Sequence, residues 1–163
     1  MYENVKFLPM SRREMEALGW DSIDILLLTG DAYVEHPSFG TAVIGRYLLD
    51  KGFRVGVVAQ PDWKDPESLK VMGRPNIAVG VSSGNMDSMV CIYTVGRRFR
   101  KDDMYSPGGK TGNRPPMAAV VYTQLAKRAF PGIKTVLGGV EASLRRVAHY
   151  DYWQDKMHPS ELV

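Results

Sequence analysis

Residues 23–59 read IDILLLTGDAYVEHPSFGTAVIGRYLLDKGFRVGVVA, and this stretch decides the fold. It opens with a strand-length apolar run, 23–29, and closes with a second, 54–59, both rich in β-branched or aliphatic residues. Between them Phe39, Val43, Tyr47 and Leu48 recur at helical spacing, with Ser38 predicted as the N-cap. Gly52 stands where a C′ glycine belongs, because only glycine takes the left-handed conformation cheaply. Strand, helix and strand make one βαβ unit, whose crossover is expected to be right-handed.

Two further runs, 77–81 (IAVGV) and 133–137 (IKTVL), have the same character. None alternates cleanly between apolar and polar residues, which predicts strands covered on both faces, as in a parallel sheet. A short helix is expected at 66–72 and a buried one over 86–95. Pro115 and Pro116 then open an amphipathic helix with Ala118, Val121, Tyr122, Leu125 and Ala129 as its apolar stripe, ended by Pro131 and Gly132. The predicted fold class is α/β: a doubly wound, mostly parallel sheet of about four strands with helices on both faces, flavodoxin-like. Residues 1–22 read as an N-terminal extension. The tail from 141 reads as a helix and an aromatic stretch without a core strand, so the expected C-terminal edge is truncated.

The chain has 163 residues, enough for one domain with a real hydrophobic core. One cysteine excludes an internal disulfide framework and a cysteine-only metal site. No apolar run approaches the ~20 residues of a membrane span, and the N-terminus lacks a secretory apolar stretch, so a cytoplasmic location is expected. Net charge is +3, but it is unevenly placed. Arg97, Arg98, Arg100, Lys101, Lys110 and Arg114 crowd one segment against Asp102 and Asp103, leaving the body near neutral. Three prolines and three glycines within 97–116 deny that segment regular structure, and loops of this length inside domains are usually functional or disordered. We expect Phe99 and Tyr105 to anchor it, with mobility across 108–112.

In such sheets ligands bind beyond the carboxyl ends of the strands. The first strand end carries Asp31, Glu35 and His36, which suit a base or a metal, or simply a hydrogen-bonded loop. The third carries Ser82, Ser83, Gly84 and Asn85 before a helix, which suits a phosphate or carboxylate, or a cap without ligand. It is neither a Walker loop nor a dinucleotide fingerprint. The fourth carries Gly138 and Gly139, which let a ligand or a helix approach the backbone closely or simply pack strand on helix, then Glu141 and the pair Arg145 and Arg146, read as a solvated charged face unless another domain docks there. Cys91 sits in an apolar run and reads as an inert core thiol. The loop residues Arg97, Arg98, Arg100, Lys101, Tyr105 and Lys110 interleave charge with aromatics, which suits either an interdomain or partner contact or single-stranded nucleic acid.

Four strings together resemble the N-terminal region of the YgiQ-type radical S-adenosylmethionine proteins: 36–55 (HPSFGTAVIGRYLLDKGFRV), 80–90 (GVSSGNMDSMV), 97–115 (RRFRKDDMYSPGGKTGNRP) and 136–153 (VLGGVEASLRRVAHYDYW). The resemblance covers nearly the whole chain. It implies an accessory domain in front of a catalytic barrel, with a [4Fe–4S] cluster and S-adenosylmethionine held by a three-cysteine motif lying beyond residue 163. No catalytic or metal-ligating residue is carried over. A related architecture places a cobalamin-binding domain in that position. The usual Asp-x-His-x-x-Gly pattern is not met here, since Asp31 and His36 are five apart and Gly40 lies four beyond. Three functions stay open: an accessory domain facing its own barrel and an unknown substrate, a module for cobalamin or a nucleotide, and a nucleic-acid-binding module using 97–114.

Overall fold

The computed structural model describes residues 5–159. Its centre is a four-stranded sheet of β1 (Ile25–Thr29), β2 (Val55–Ala59), β3 (Ala78–Ser82) and β4 (Lys134–Gly138), in the order β2-β1-β3-β4. Every pairing is parallel, in a register that aligns Ile25, Val55, Ala78 and Lys134. The fold is therefore the expected α/β doubly wound class. The winding reverses between β1 and β3, which makes their carboxyl ends the switch point.

Side chains alternate between the two faces of the sheet. On one face, helix α2 (Gly40–Asp50) packs across β1 and β2, with Gly45 pressed against Leu27 and Leu8. On the other lie the 3-10 helix Pro66–Met72 and helix α4 (Ala118–Ala129), with Met72 filling the space opposite Gly56. Leu26, Leu28, Val55, Val79, Val81, Tyr122, Leu125 and Phe130 belong to the resulting core. Both points are tight, since a Cβ at 45 or 56 would come within 2.2 or 2.7 Å of the end of the Leu8 or Met72 side chain and displace it.

Residues near the N-terminus are part of this body. Helix α1 (Arg12–Ala17) begins in a capping box: Ser11 Oγ accepts from Glu14 N–H, and Glu14 accepts from Met10 N–H. Leu8, Met15 and Trp20 are buried in the core, and the Pro9 carbonyl accepts from Val57 N–H, covering the outer edge of β2.

Several local expectations need correction. Ser38 does not cap α2, which starts at Gly40 after an extended Phe39 with no side-chain cap; the Ser38 N–H is taken by His36 Nδ1. The helix expected over 86–95 shortens to α3 (Ser88–Ile92), because Asp87 caps it and Tyr93 turns extended to bridge Phe99. Helix α4 starts at Ala118, after Met117 in the left-handed region. Strand β4 is not covered on both faces: Val136 is 62% exposed. After β4, helix α5 (Gly139–Arg145) leads into a small antiparallel hairpin, β5 (His149–Asp151) and β6 (Lys156–His158), separate from the main sheet. Gly52 has the expected positive φ, 90°.

Candidate functional site

Over the α2-side face of β1, β3 and β4, and reaching their carboxyl ends, lies a cleft of about 300 Å3. Asp31, Ser82, Gly84, Asn85, Gly138 and Gly139 line it, so six of the nominated residues converge. Leu27, Ile44, Gly80, Val136 and Val140 supply apolar floor and walls.

The polar groups at its rim are engaged with one another. Asp31 is buried and accepts from Asn85 N–H at 2.7 Å and from Arg114 at 2.8 Å. Arg114 is also buried, and donates further to Asp103 (3.3 Å) and to the Ser83 carbonyl. Ser106 donates to the same Asp103 carboxylate at 3.0 Å, and Gln60 donates to Ser106. Burial pushes the Asp31 carboxyl above its ordinary pKa, outweighing the Asn85 amide and the Arg114 guanidinium that pull it down. The cluster is close-packed: a Cβ at Gly84, whose φ is +111°, would lie 2.0 Å from Asp31 Oδ1. Gly30 is equally confined, since a Cβ there would lie 2.1 Å from the Ser83 carbonyl oxygen.

A second buried cluster holds the helix starts together. Glu141 is fully buried; one carboxylate oxygen accepts from Ser88 N–H (2.7 Å) and the other from Ala119 N–H (2.9 Å). The Ser88 hydroxyl accepts from Ala118 N–H, so α3 and α4 share caps supplied from outside their own first turns. Arg145 is buried beside Glu141 (3.4 Å) and Asp87 (3.9 Å). Burial raises the Asp87 carboxyl, the Glu141 charge adds to this, and Arg145 opposes it. The solvated face expected of Glu141 and Arg145 is thus corrected, since both are interior; Arg146 alone is exposed. The N–H groups of Ser88, Met89 and Val90 already have acceptors in Glu141 and Asp87.

The remaining candidates disperse. His36 is exposed on the α2 side, where Glu35 pairs with Arg46 and Tyr33, and it does not meet the buried Asp31. In the basic loop, Phe99 is not a buried anchor: it is 73% exposed, with its ring against Tyr93. Tyr105 does hold, its carbonyl accepting from Ala32 N–H and its ring edge-on to Phe39. Arg100 donates to the Val90 and Tyr93 carbonyls, and Arg97 lies over the Tyr152 ring. Arg98, Lys101 and Lys110 remain exposed. The residues that sequence reasoning missed are Arg114 and Asp103 as interior groups, and Ile44, Val136 and Val140 as cleft walls. No local spacing links Arg114 to Asp31, 83 positions away.

The donor set does not suit a cluster or a metal. Cys91 is the sole cysteine, it is buried, and burial pushes its thiol up to about 11, away from the thiolate a metal requires. Among the described residues no three His, Cys, Asp or Glu side chains gather as ligands. No described helix is long and apolar enough to cross a membrane.

The radical SAM N-terminal family matches residues 7–163. UPF0313 proteins of Shewanella oneidensis and Bradyrhizobium diazoefficiens are each 60% identical, over 94% and 96% of this chain. A UPF0313 protein of Pseudomonas aeruginosa is 57% identical over 96%. The chain spans only 20%, 23% and 21% of the length of these three relatives. No solved structure matches it. With the family matched over nearly the whole chain and close relatives throughout, the chain belongs to the radical SAM N-terminal family of the UPF0313 proteins.

Proposed function

We propose that this chain is the N-terminal accessory domain of a [4Fe–4S] radical S-adenosylmethionine enzyme, with no turnover of its own. The observation that carries the reading is Cys91: a family that implies an iron–sulfur cluster is represented here by one buried, protonated thiol. Cluster and S-adenosylmethionine are then held by residues outside this chain, in a barrel that the rest of the polypeptide supplies. This domain contributes a sheet end where Arg114 holds Asp31 and Asp103, together with a loop that offers Arg97, Arg98, Lys101 and Lys110 at the surface. The experiment is Cys91→Ala in a full-length relative, reconstituted with iron and sulfide. Iron content and cluster absorbance equal to the parent protein are expected. Loss of the cluster with retained folding overturns the reading.

A second reading, a module for cobalamin or a nucleotide, is favoured by one observation: the cleft lies at the switch point, where this fold class binds ligands. Its walls are largely apolar, and Asp31 and His36 stand apart, which speaks against histidine-ligated cobalamin. Equilibrium dialysis of cobalamins and adenine nucleotides against the full-length protein separates the readings. Saturable binding abolished by Gly139→Phe supports the second.

A further inference from the structure

The two faces of the sheet are unequally covered, and the connection rules say why. Passing from β1 to β2, the chain moves outward in one direction and crosses by α2 on one face. Passing from β2 back across β1 to β3, and on to β4, it moves in the opposite direction. Right-handed crossovers then put the 3-10 helix Pro66–Met72 and α4 on the other face. Any later crossover continuing outward from β4 keeps to that same face. None of the described connections can therefore cover β3 and β4 on the α2 side.

That area is open among the described residues, and it is apolar. Gly80 and Leu27 form the floor, Ile44 of α2 forms one wall, and Val136 with Val140 forms the other. Ile44 is 53% exposed, and Val140 about equally so. The surface continues along α5, where Leu144 is exposed one turn beyond Val140, and past the helix end at exposed Val147, while Glu141, Ala142 and Arg145 on the other side of α5 are buried. Parallel sheets are ordinarily covered on both faces, and a bare apolar strand edge is a liability that proteins hide. The β2 edge is hidden by Pro9, whereas β4 has no strand partner on its outer side among the described residues.

We infer that this groove is an intramolecular docking site, filled in the full-length protein by an apolar element of the polypeptide that follows residue 163. The inference rests on the accessory-domain reading and adds to it the contact surface. Two observations select this occupant. The relatives carry about three to four times as much additional chain as the domain itself, so an element to fill the groove is available in the same molecule. Two polar side chains at the groove's edge are already engaged: both Asp31 carboxylate oxygens accept internal hydrogen bonds, and Ser82 Oγ accepts from Gly84 N–H at 3.1 Å. An apolar protein surface fits such walls better than a charged cofactor does.

The test places a photoreactive p-benzoylphenylalanine at position 136 of a full-length relative, and in a second variant at position 44 across the groove. A third variant carries it at position 104, where Met104 is 90% exposed on the basic loop, as the reference for random capture. Irradiation at 136 or 44 is expected to give a product of unchanged mass on a denaturing gel. Its cross-linked peptide should map beyond residue 163, with a yield several-fold above that at 104. A product of twice the mass means that a second copy fills the groove, and overturns the inference. So does a yield at both groove positions no higher than at 104. Cluster content measured on the same preparations reads the accessory-domain proposal separately, so either can fail without the other.

Discussion

Arg98 and Arg114 belong to one basic, proline- and glycine-rich segment and have opposite fates. Arg98 is exposed, and its backbone N–H donates to the hydroxyl of Thr94, four residues away. Arg114 is 3% exposed and bonds to Asp31 at the end of β1, to Asp103 within the loop and to the Ser83 carbonyl beyond β3. The second half of the loop is therefore fastened to the switch point, whereas the first half lies on the surface. Composition does not separate them; the partners do. An arginine enters the interior only where two carboxylates and a carbonyl are already waiting, because an unpaired buried charge costs several kcal/mol.

The largest expected effect breaks this contrast directly. Arg114→Ala leaves Asp31 and Asp103 buried and uncompensated, and should lower unfolding free energy by about 3–5 kcal/mol. Arg98→Ala should change it by less than about 0.5 kcal/mol. Urea titration of the two variants side by side reads the difference. Comparable losses would mean that Arg114 is solvated and the cluster is not a fastening.

The next effect asks whether Glu141, an interior carboxylate that bonds mainly to N–H groups, behaves as Asp31 does. Glu141→Gln keeps the shape but turns the donating amide NH2 toward either Ser88 N–H or Ala119 N–H, leaving one helix-start donor unsatisfied. The expected cost is about 1–3 kcal/mol. Amide hydrogen exchange should localise it to the first turns of α3 and α4. Uniform protection there would show that the caps contribute nothing.

Acid titration sets two carboxylates of similar exposure, Asp24 and Asp87, against each other through opposite signs. Asp24 loses some hydration, but hydrogen bonds from Arg54 and Asn76 outweigh that and hold its carboxyl down to about 2. Its contribution is present above the ordinary value of 3.8 and is lost as pH falls toward about 2. Asp87 is pushed the other way by burial, so its contribution is present below 3.8 and is lost as pH rises through its elevated value. The stability difference between parent and Asp24→Asn should therefore vanish on acidification. As pH rises above 3.8 the parent should lose ground relative to Asp87→Asn. The same pH trend in both variants would contradict these assignments.

The architecture was legible because four strand-length apolar runs and one well-punctuated βαβ unit leave few alternatives under the handedness and neighbour rules. Candidate residues at strand ends were legible for the same reason, since Asp31, Ser82, Asn85 and Gly139 follow from where strands stop. What stayed hidden depends on distant partners. Glu141 reads as a surface acid until its acceptor role for Ser88 and Ala119, 53 and 22 positions away, is seen. The start of α4 follows Met117 in a left-handed turn rather than the prolines, because its caps arrive from Ser88 and Glu141. The open groove was hidden because an apolar run tells that a strand is covered without telling by which chain segment. Val136 has the same sequence character as Val79 and is exposed where Val79 is fully buried.

The smallest expected effect concerns the surface between the two fastened ends of the loop. Pro107–Gly109 is a 3-10 turn held by Gly109 N–H to the Ser106 carbonyl and by Asp103 N–H to the Gly109 carbonyl. Residues 110–113 follow it, exposed, before the chain is gripped again at Arg114. Backbone exposure without tertiary contacts is what a protease requires, and local opening there costs little free energy. Trypsin is therefore expected to cut after Lys110 ahead of Arg54, which Asp21 and Asp24 hold. Arg114→Ala should accelerate the Lys110 cut severalfold by releasing one end of the span, whereas Arg98→Ala should leave it unchanged. A Lys110 bond as resistant as Arg54 in the parent protein, with no acceleration in Arg114→Ala, would place the loop's fastening somewhere other than the Arg114 cluster.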